Sequence, residues 1–118
     1  MPSLFEVSAG KLAGPTTGGT VTQATNKTTG VTLNAESGQI TMNDAALGAA
    51  AEATFEVTND KIAATDVIVA VHGSAGTAGS YMVGVSAIAA GSFKITVTNV
   101  SGGSLSEAIV LNYKIIKG

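Results

Sequence analysis

The fold of this chain is decided by residues 81–98, which read YMVGVSAIAAGSFKITVT. In the second half, apolar Phe93, Ile95 and Val97 alternate with Lys94 and with threonines. An alternation of period two is typical of a strand with one buried face and one face in water. The connection at 89–91 is short enough for an antiparallel hairpin. We therefore predict a hairpin of residues 81–88 and 91–98 whose second strand turns its apolar residues inward.

Further strands are predicted on both sides of this hairpin. Residues 53–58 alternate clearly, and residues 108–116 place Ile109, Leu111, Tyr113 and Ile115 on one face. Residues 66–71 are apolar on both faces, which predicts a central strand, or a strand covered by another subunit, and the most buried stretch of the chain. The shorter runs are 20–23, 31–34 and 39–42, of which the last two are predicted to pair as a hairpin.

The pattern as a whole predicts an all-β chain with about eight strands. Regularly spaced turns between short strands favour an antiparallel β-sandwich of jelly-roll type over residues 19–118. Residues 44–51 are rich in Ala, but Gly48 keeps any helix short, so we expect a loop. Residues 1–18 are glycine-rich and are predicted to form an extended arm, in which the apolar Leu4, Phe5 and Val7 could contact a neighbouring protein; the alternative is a disordered terminus.

Composition limits the functions open to the chain. Its 118 residues fit one domain, cysteine is absent, and six lysines against eight carboxylates give a net charge of −2. Without a basic stripe, nucleic-acid binding is not expected. The longest apolar stretches are far shorter than the roughly 20 residues that span a bilayer, so no membrane contact is expected. The start of the chain lacks a basic region followed by an apolar run, so we expect the protein to act where it is made.

Three candidate sites for chemistry each have a simpler structural interpretation. His72, with Gly73 and Ser74, does not match the nucleophile elbow of a hydrolase, and we expect His72 at a strand end. The glycine-rich residues 73–79 lack the ending of a phosphate-binding loop, and a hairpin loop is expected. The third candidate is a carboxylate set, for which we expect a solvated strand face: Glu52, Glu56 and Asp60.

Two Asn-Asp pairs offer oxygen ligands, but not in the spacing of a calcium loop. The pairs are Asn43-Asp44 and Asn59-Asp60, and turn chemistry accounts for both. We therefore expect no cofactor, no metal and no enzymatic activity.

Residues 19–34, GTVTQATNKTTGVTLN, followed by residues 38–43, GQITMN, resemble a β-sandwich module of bacteriophage and prophage virion proteins. Later runs are similar to that module in the same order: 55–59, 62–67, 76–81 and 91–99. The resemblance implies a structural protein of the virion. Its modules occur as capsid decoration (cement) proteins that trimerise on the outer shell, and also as parts of tail fibres.

Because only a short arm precedes the sandwich, the resemblance favours a cement protein that binds the major capsid protein. The apolar strand at 66–71 and the final strand predict a homotrimer contact, to which we assign Val67, Ile68, Val69, Val71 and Ile116. Leu4, Phe5 and Val7 of the arm are predicted to contact the capsid or a neighbouring protomer. The alternative is a fibre-tip domain that binds a host glycan or surface protein through residues 73–79.

Overall fold

The computed structural model describes residues 18–118, which form an all-β fold without helices. The eight strands of this part of the chain are β1 Gly19–Thr22, β2 Val31–Thr32, β3 Ser37–Thr41, β4 Glu52–Thr58, β5 Val67–Ser74, β6 Tyr81–Ala89, β7 Ser92–Asn99 and β8 Val110–Ile116. The predicted strand count and the all-β class are confirmed. The predicted arm, with Leu4, Phe5 and Val7, lies almost wholly outside the described residues.

The strands form two four-stranded sheets that pack face to face as a β-sandwich. The first sheet has the order β1-β3-β8-β5 and the second has the order β2-β4-β7-β6. The pairs β1/β3 and β2/β4 are parallel, and the other pairs of the described strands are antiparallel. The prediction of a wholly antiparallel sandwich is therefore wrong. The physical reason is that the chain changes sheet at most connections, which lets two successive strands of one sheet run in the same direction.

The core lies between the sheets, as the period-two patterns predicted. Strand β4 alternates strictly between exposed and buried residues, and Phe93, Ile95 and Val97 of β7 are fully buried. The four predicted inward residues near the C-terminus, Ile109 and its partners in β8, are also buried. The rings of Phe93 and Tyr113 meet across the core with centroids 5.7 Å apart.

The hairpin of β6 and β7 is confirmed, and its tight turn is formed by Ala90 and Gly91. Gly91 has a φ of 88°, a left-handed conformation that glycine adopts without steric cost. The predicted hairpin of residues 31–34 with 39–42 is wrong. Strand β3 is already paired on both sides, with β1 and β8, so no edge is left for β2, which pairs with β4 in the other sheet.

Strand β5 is the last strand of the first sheet and pairs only with β8. The predictions of a central strand and of the most buried stretch are therefore wrong. Ile68 points into the core, whereas Val67, Val69 and Val71 point outward and are exposed. The prediction failed because β5 has apolar residues on its outer face as well, as a central strand would. No strand of the described residues covers that outer face.

Buried polar side chains hold the loops at the ends of the sandwich. Asn99 is fully buried: its Nδ2 donates to the carbonyls of Leu47 (2.8 Å) and Gly103 (2.9 Å), and its Oδ1 accepts from the amide of Ser101 (2.9 Å). Asn59 likewise donates to Ala35 O at 2.7 Å. Every buried side-chain nitrogen and oxygen in residues 18–118 has a hydrogen-bond partner. Polar burial of this kind is stabilising only because it is fully satisfied.

Replacing Asn99 by Ala is expected to lower the free energy of unfolding by about 2 kcal/mol, because the Ser101 amide loses its acceptor inside the protein. The matched control is Asn112→Ala, at an exposed position of β8, which should change it by less than about 0.5 kcal/mol. Urea unfolding at pH 7 measures both. Equal losses for the two variants would contradict the role given to Asn99.

Candidate functional site

The predicted oligomer contact residues separate into two groups. Val67, Val69 and Val71 are 55%, 48% and 49% exposed, and Ile116 is 49% exposed and lies directly opposite Val67 in the β5–β8 ladder. These four side chains form a continuous row on the outer face of the first sheet. Ile68 is only 7% exposed and belongs to the core, so its assignment to a contact with another protomer is wrong. The alternation of side chains along a strand is the reason.

Two further exposed side chains were missed by the sequence analysis. Met82 of β6 is 66% exposed and Val100 is 47% exposed. The Val100 amide donates to Ser80 O at 2.9 Å, which places Val100 beside the start of β6. All six large exposed hydrophobic side chains of the described residues therefore lie near one edge of the sandwich, the edge formed by β5 and β6, four on the outer face of the first sheet and two on that of the second. We call the surface formed by these six side chains the uncharged flank: Val67, Val69, Val71, Met82, Val100 and Ile116.

The uncharged flank has no Asp, Glu, Lys or Arg in the strands that form its edge. Residues 67–93, which include all of β5 and β6, contain none of these residues. Both strands are the last of their sheets, so one backbone edge of each is unpaired within the described chain. Natural edge strands are usually protected by charges, Pro or bulges. Here the ladders are irregular only late in each strand, between His72 and Ser74 in β5 and between Ser86 and Ala89 in β6. An exposed apolar edge of this kind is a candidate interaction surface.

A shallow groove lies on the other face of the flank, over the second sheet. It has a volume of about 250 Å³ and is lined by Met82, Val83, Gly84, Thr96 and Thr98. A Cβ atom at Gly84 would meet no atom within 4 Å, so the missing side chain leaves open space at the surface. The groove could accept an apolar side chain from outside.

The loop between β5 and β6 is held by one carboxylate. Glu107 accepts hydrogen bonds from the Thr77 hydroxyl (2.8 Å), the Thr77 amide (3.0 Å) and the Tyr81 hydroxyl (2.8 Å). The hydrogen bond from the Thr77 hydroxyl is the main cause that lowers the pKa of Glu107, and the bond from Tyr81 adds to it. Burial and the carboxylate raise the pKa of Tyr81 to about 12. The loop crosses between the sheets, so the predicted hairpin loop is wrong.

His72 contacts the loop after β5 and the ring of Tyr81. Nε2 of His72 lies 2.6 Å from Ala75 O and 3.1 Å from Ser74 O, so the ring contacts backbone carbonyls of the loop. Its ring meets Tyr81 edge to face, with centroids 5.3 Å apart. His72, Tyr81 and the loop glycines line a shallow pocket with a volume of about 350 Å³. His72 lies near the end of β5, as predicted.

Other polar residues singled out in the sequence are also accounted for. Glu52, Glu56 and Asp60 are exposed, as expected of a solvated face. Asn43 and Asn59 each accept from the backbone amide two residues on, at 2.8 and 2.9 Å, which confirms turn chemistry. Residues 18–118 contain no group of three or more His, Cys, Asp or Glu side chains that could hold a metal ion. They also contain no helix long and apolar enough to cross a membrane.

Lys27 is a buried cation that the sequence analysis did not single out. Its Nζ donates to the carbonyls of Asn43 and of Glu107, the latter at 2.8 Å. Burial lowers the pKa of Lys27, and the charges of Asp44 and Glu107 oppose that shift. Lys27 therefore ties three segments that are far apart in the chain. A single Lys in a Thr-rich turn gives no sequence signal of such a role.

Asp66 anchors the start of β5. Its side chain is buried and accepts from the Ala63 amide (2.9 Å), from Lys117 Nζ (2.7 Å) and from the Gly118 amide (3.0 Å). These hydrogen bonds, that of Ala63 first, lower the pKa of Asp66 from 3.8 to about 2. The carboxylate thus positions the end of the flank that carries Val67 and Ile116.

Neither a protein-family model, nor a curated protein, nor a solved structure matches this chain. The geometry of the uncharged flank and of the loop held by Glu107 therefore carries the functional argument.

Replacing Glu107 by Ala is expected to loosen the loop of residues 75–80, because three hydrogen bonds to a charged acceptor are lost together. Hydrogen–deuterium exchange of the Thr77 amide should become at least about tenfold faster. The control is Glu56→Ala on the exposed face of β4, which should leave the loop unchanged. Unchanged protection of Thr77 in the Glu107 variant would contradict this assignment.

The contribution of Asp66 to stability depends on pH in a defined direction. Because its pKa is lower in the folded state, ionised Asp66 stabilises the fold fully above its ordinary value of 3.8, and this stabilisation is lost as pH falls towards about 2. The Asp66→Asn variant should therefore melt below the wild type at pH 7 and level with it near pH 2. Asp60→Asn, at an exposed carboxylate, is the control. A gap between wild type and Asp66→Asn that persists unchanged at pH 2 would disprove the assignment.

Proposed function

We propose that this protein is a phage capsid decoration (cement) protein. It binds the outer surface of the major capsid protein shell as a homotrimer and stabilises that shell. It is made in the host cytoplasm and resides on the outer capsid of the virion. The proposal is supported by the resemblance of residues 19–34 and 38–43 to virion modules and by the uncharged flank.

The uncharged flank is the observation that carries the proposal. A decoration protein needs adhesive surfaces on a rigid block, because many modest contacts are multiplied by the symmetry of the shell. Six exposed hydrophobic side chains gathered along one edge of a sandwich meet that need. Exposed apolar surfaces commonly mark interaction sites, among them protein–protein contacts.

The proposal includes no enzymatic activity, no cofactor, no nucleic-acid partner and no membrane partner. It retains Leu4, Phe5 and Val7, which lie outside the described residues, as contacts to the capsid or to a neighbouring protomer. It does not retain the jelly-roll winding, because jelly rolls are built from antiparallel strands and two strand pairs here are parallel.

A second candidate function is a tail-fibre or adsorption module that binds a host receptor. The feature that favours it is the concave surface formed by the loop after β5, where His72 and Tyr81 lie beside the glycines. A sugar is commonly held on an exposed aromatic face, but Tyr81 is buried and its hydroxyl is engaged by Glu107. The cement function is therefore the better supported of the two.

Antibody labelling of phage particles from the source strain, imaged by electron microscopy, tests the proposal. We expect label over the whole shell, and we expect particles stripped of this protein to release their DNA at a lower temperature than intact ones. Label confined to the tail would replace the cement function by the receptor-binding one. Particles without label would overturn both.

A further inference from the structure

We infer that the homotrimer closes head to tail through the uncharged flank: the first face of one copy packs against the second face of the next copy. The first face is the row Val67, Val69, Val71 and Ile116 on the outer side of the first sheet. The second face is Met82, Val100 and the groove over Gly84 on the outer side of the second sheet. This inference rests on the proposed trimer and adds the surfaces that form it.

The two faces differ in shape in the way that a ring requires. A closed ring of three copies uses a heterologous contact, in which two different surfaces of each copy meet. The valines of the first face recur at every second residue and project as ridges about 7 Å apart. The second face offers the groove of about 250 Å³, where Gly84 has no side chain. Ridges on one face and a groove on the other are complementary.

The charges at the rims also favour two different faces. Lys114 lies directly opposite Val69 and borders the first face. On the second sheet, Glu56 faces Lys94 across the β4–β7 ladder, whereas Glu52 faces the uncharged Thr98, next to Met82 in the same row. A head-to-tail contact brings Lys114 towards the Glu52 of the neighbour. A two-fold contact between first faces would bring two copies of Lys114 together.

The buried area favours three copies over two. A strip three strands wide and eight residues long covers ~400 Å² per face. Two copies sharing one contact would bury ~800 Å², which is the size of a crystal-packing contact. In a ring of three, each copy makes two such contacts, so ~1,600 Å² must be exposed for one copy to leave, which is the standard size of a specific interface. A second copy is also the occupant that fits an edge without charge, because a partner recognised by its charge would find no counter-charge there.

A charge-pair experiment tests this arrangement. Val71→Lys places a lysine on the first face opposite the uncharged Asn112, and Gly84→Glu places a carboxylate in the groove where a Cβ meets no atom. Light scattering after size exclusion measures the mass of each variant. We expect a trimer for the wild type, at least about tenfold weaker self-association for each single variant, and recovery of the trimer in the double variant. In the head-to-tail ring every contact then joins one introduced lysine to one introduced carboxylate.

The control variant is Thr20→Lys, which adds a lysine to the same row of the same sheet but on the far strand β1, outside the three-strand strip. It should remain a trimer, and unfolding curves should show that all variants are folded. A monomeric wild type would overturn the trimer itself. A trimer that persists in Val71→Lys, with or without loss of capsid binding, would overturn the inference alone. If the double variant self-associates no more strongly than the folded single variants, the pairing of the two faces is wrong.

Discussion

Hydrogen bonds from buried side chains to loop carbonyls are the interactions on which the rest of this structure depends. Gln23 shows the pattern: its Nε2 donates to the carbonyls of Lys27 (2.9 Å) and Thr29 (3.0 Å), and its Oε1 accepts from the Asn43 amide (3.0 Å). Lys27, Asn59 and Asn99 do the same at other loops. A chain that changes sheet at most connections must bury loop backbone at the ends of the sandwich, and each buried carbonyl needs a donor.

This constraint explains how a core with few aromatic residues can support a rigid block. Within residues 18–118, only Phe55, Phe93 and Tyr113 place large rings in the core, together with the partly polar Tyr81 at its margin. The sheets are close-packed by aliphatic residues, and the loops are fixed by directional bonds, which restrict geometry more than apolar contacts do. The flank can therefore present its side chains in fixed positions, and little conformational entropy is lost when they are covered.

The sequence predicted what depends on local alternation and missed what depends on distant partners. Phe93, Ile95 and Val97 face inward as predicted, because side-chain direction follows from strand periodicity alone. The pairing of β2 could not be predicted, since its partner β4 follows 20 residues later and in parallel. Glu107 and Lys27 were missed because their partners lie up to 80 residues away in the chain. The flank had a usable signal, the uncharged run of residues 67–93, which crosses two strands and a loop.

Strand β5 shows why a run that is apolar on both faces is ambiguous in a sequence. Ile68 is covered by the core of its own chain, whereas Val67, Val69 and Val71 are covered by nothing in the described residues. Both sets carry the same hydrophobic signal, because the water that they avoid can be displaced by the same chain or by another one. The inward and outward side chains are therefore constrained differently. Ile68 must fit the core of its own chain, whereas the outward valines must fit the surface of the proposed partner. Substitutions of the outward valines can thus weaken assembly and leave the fold intact.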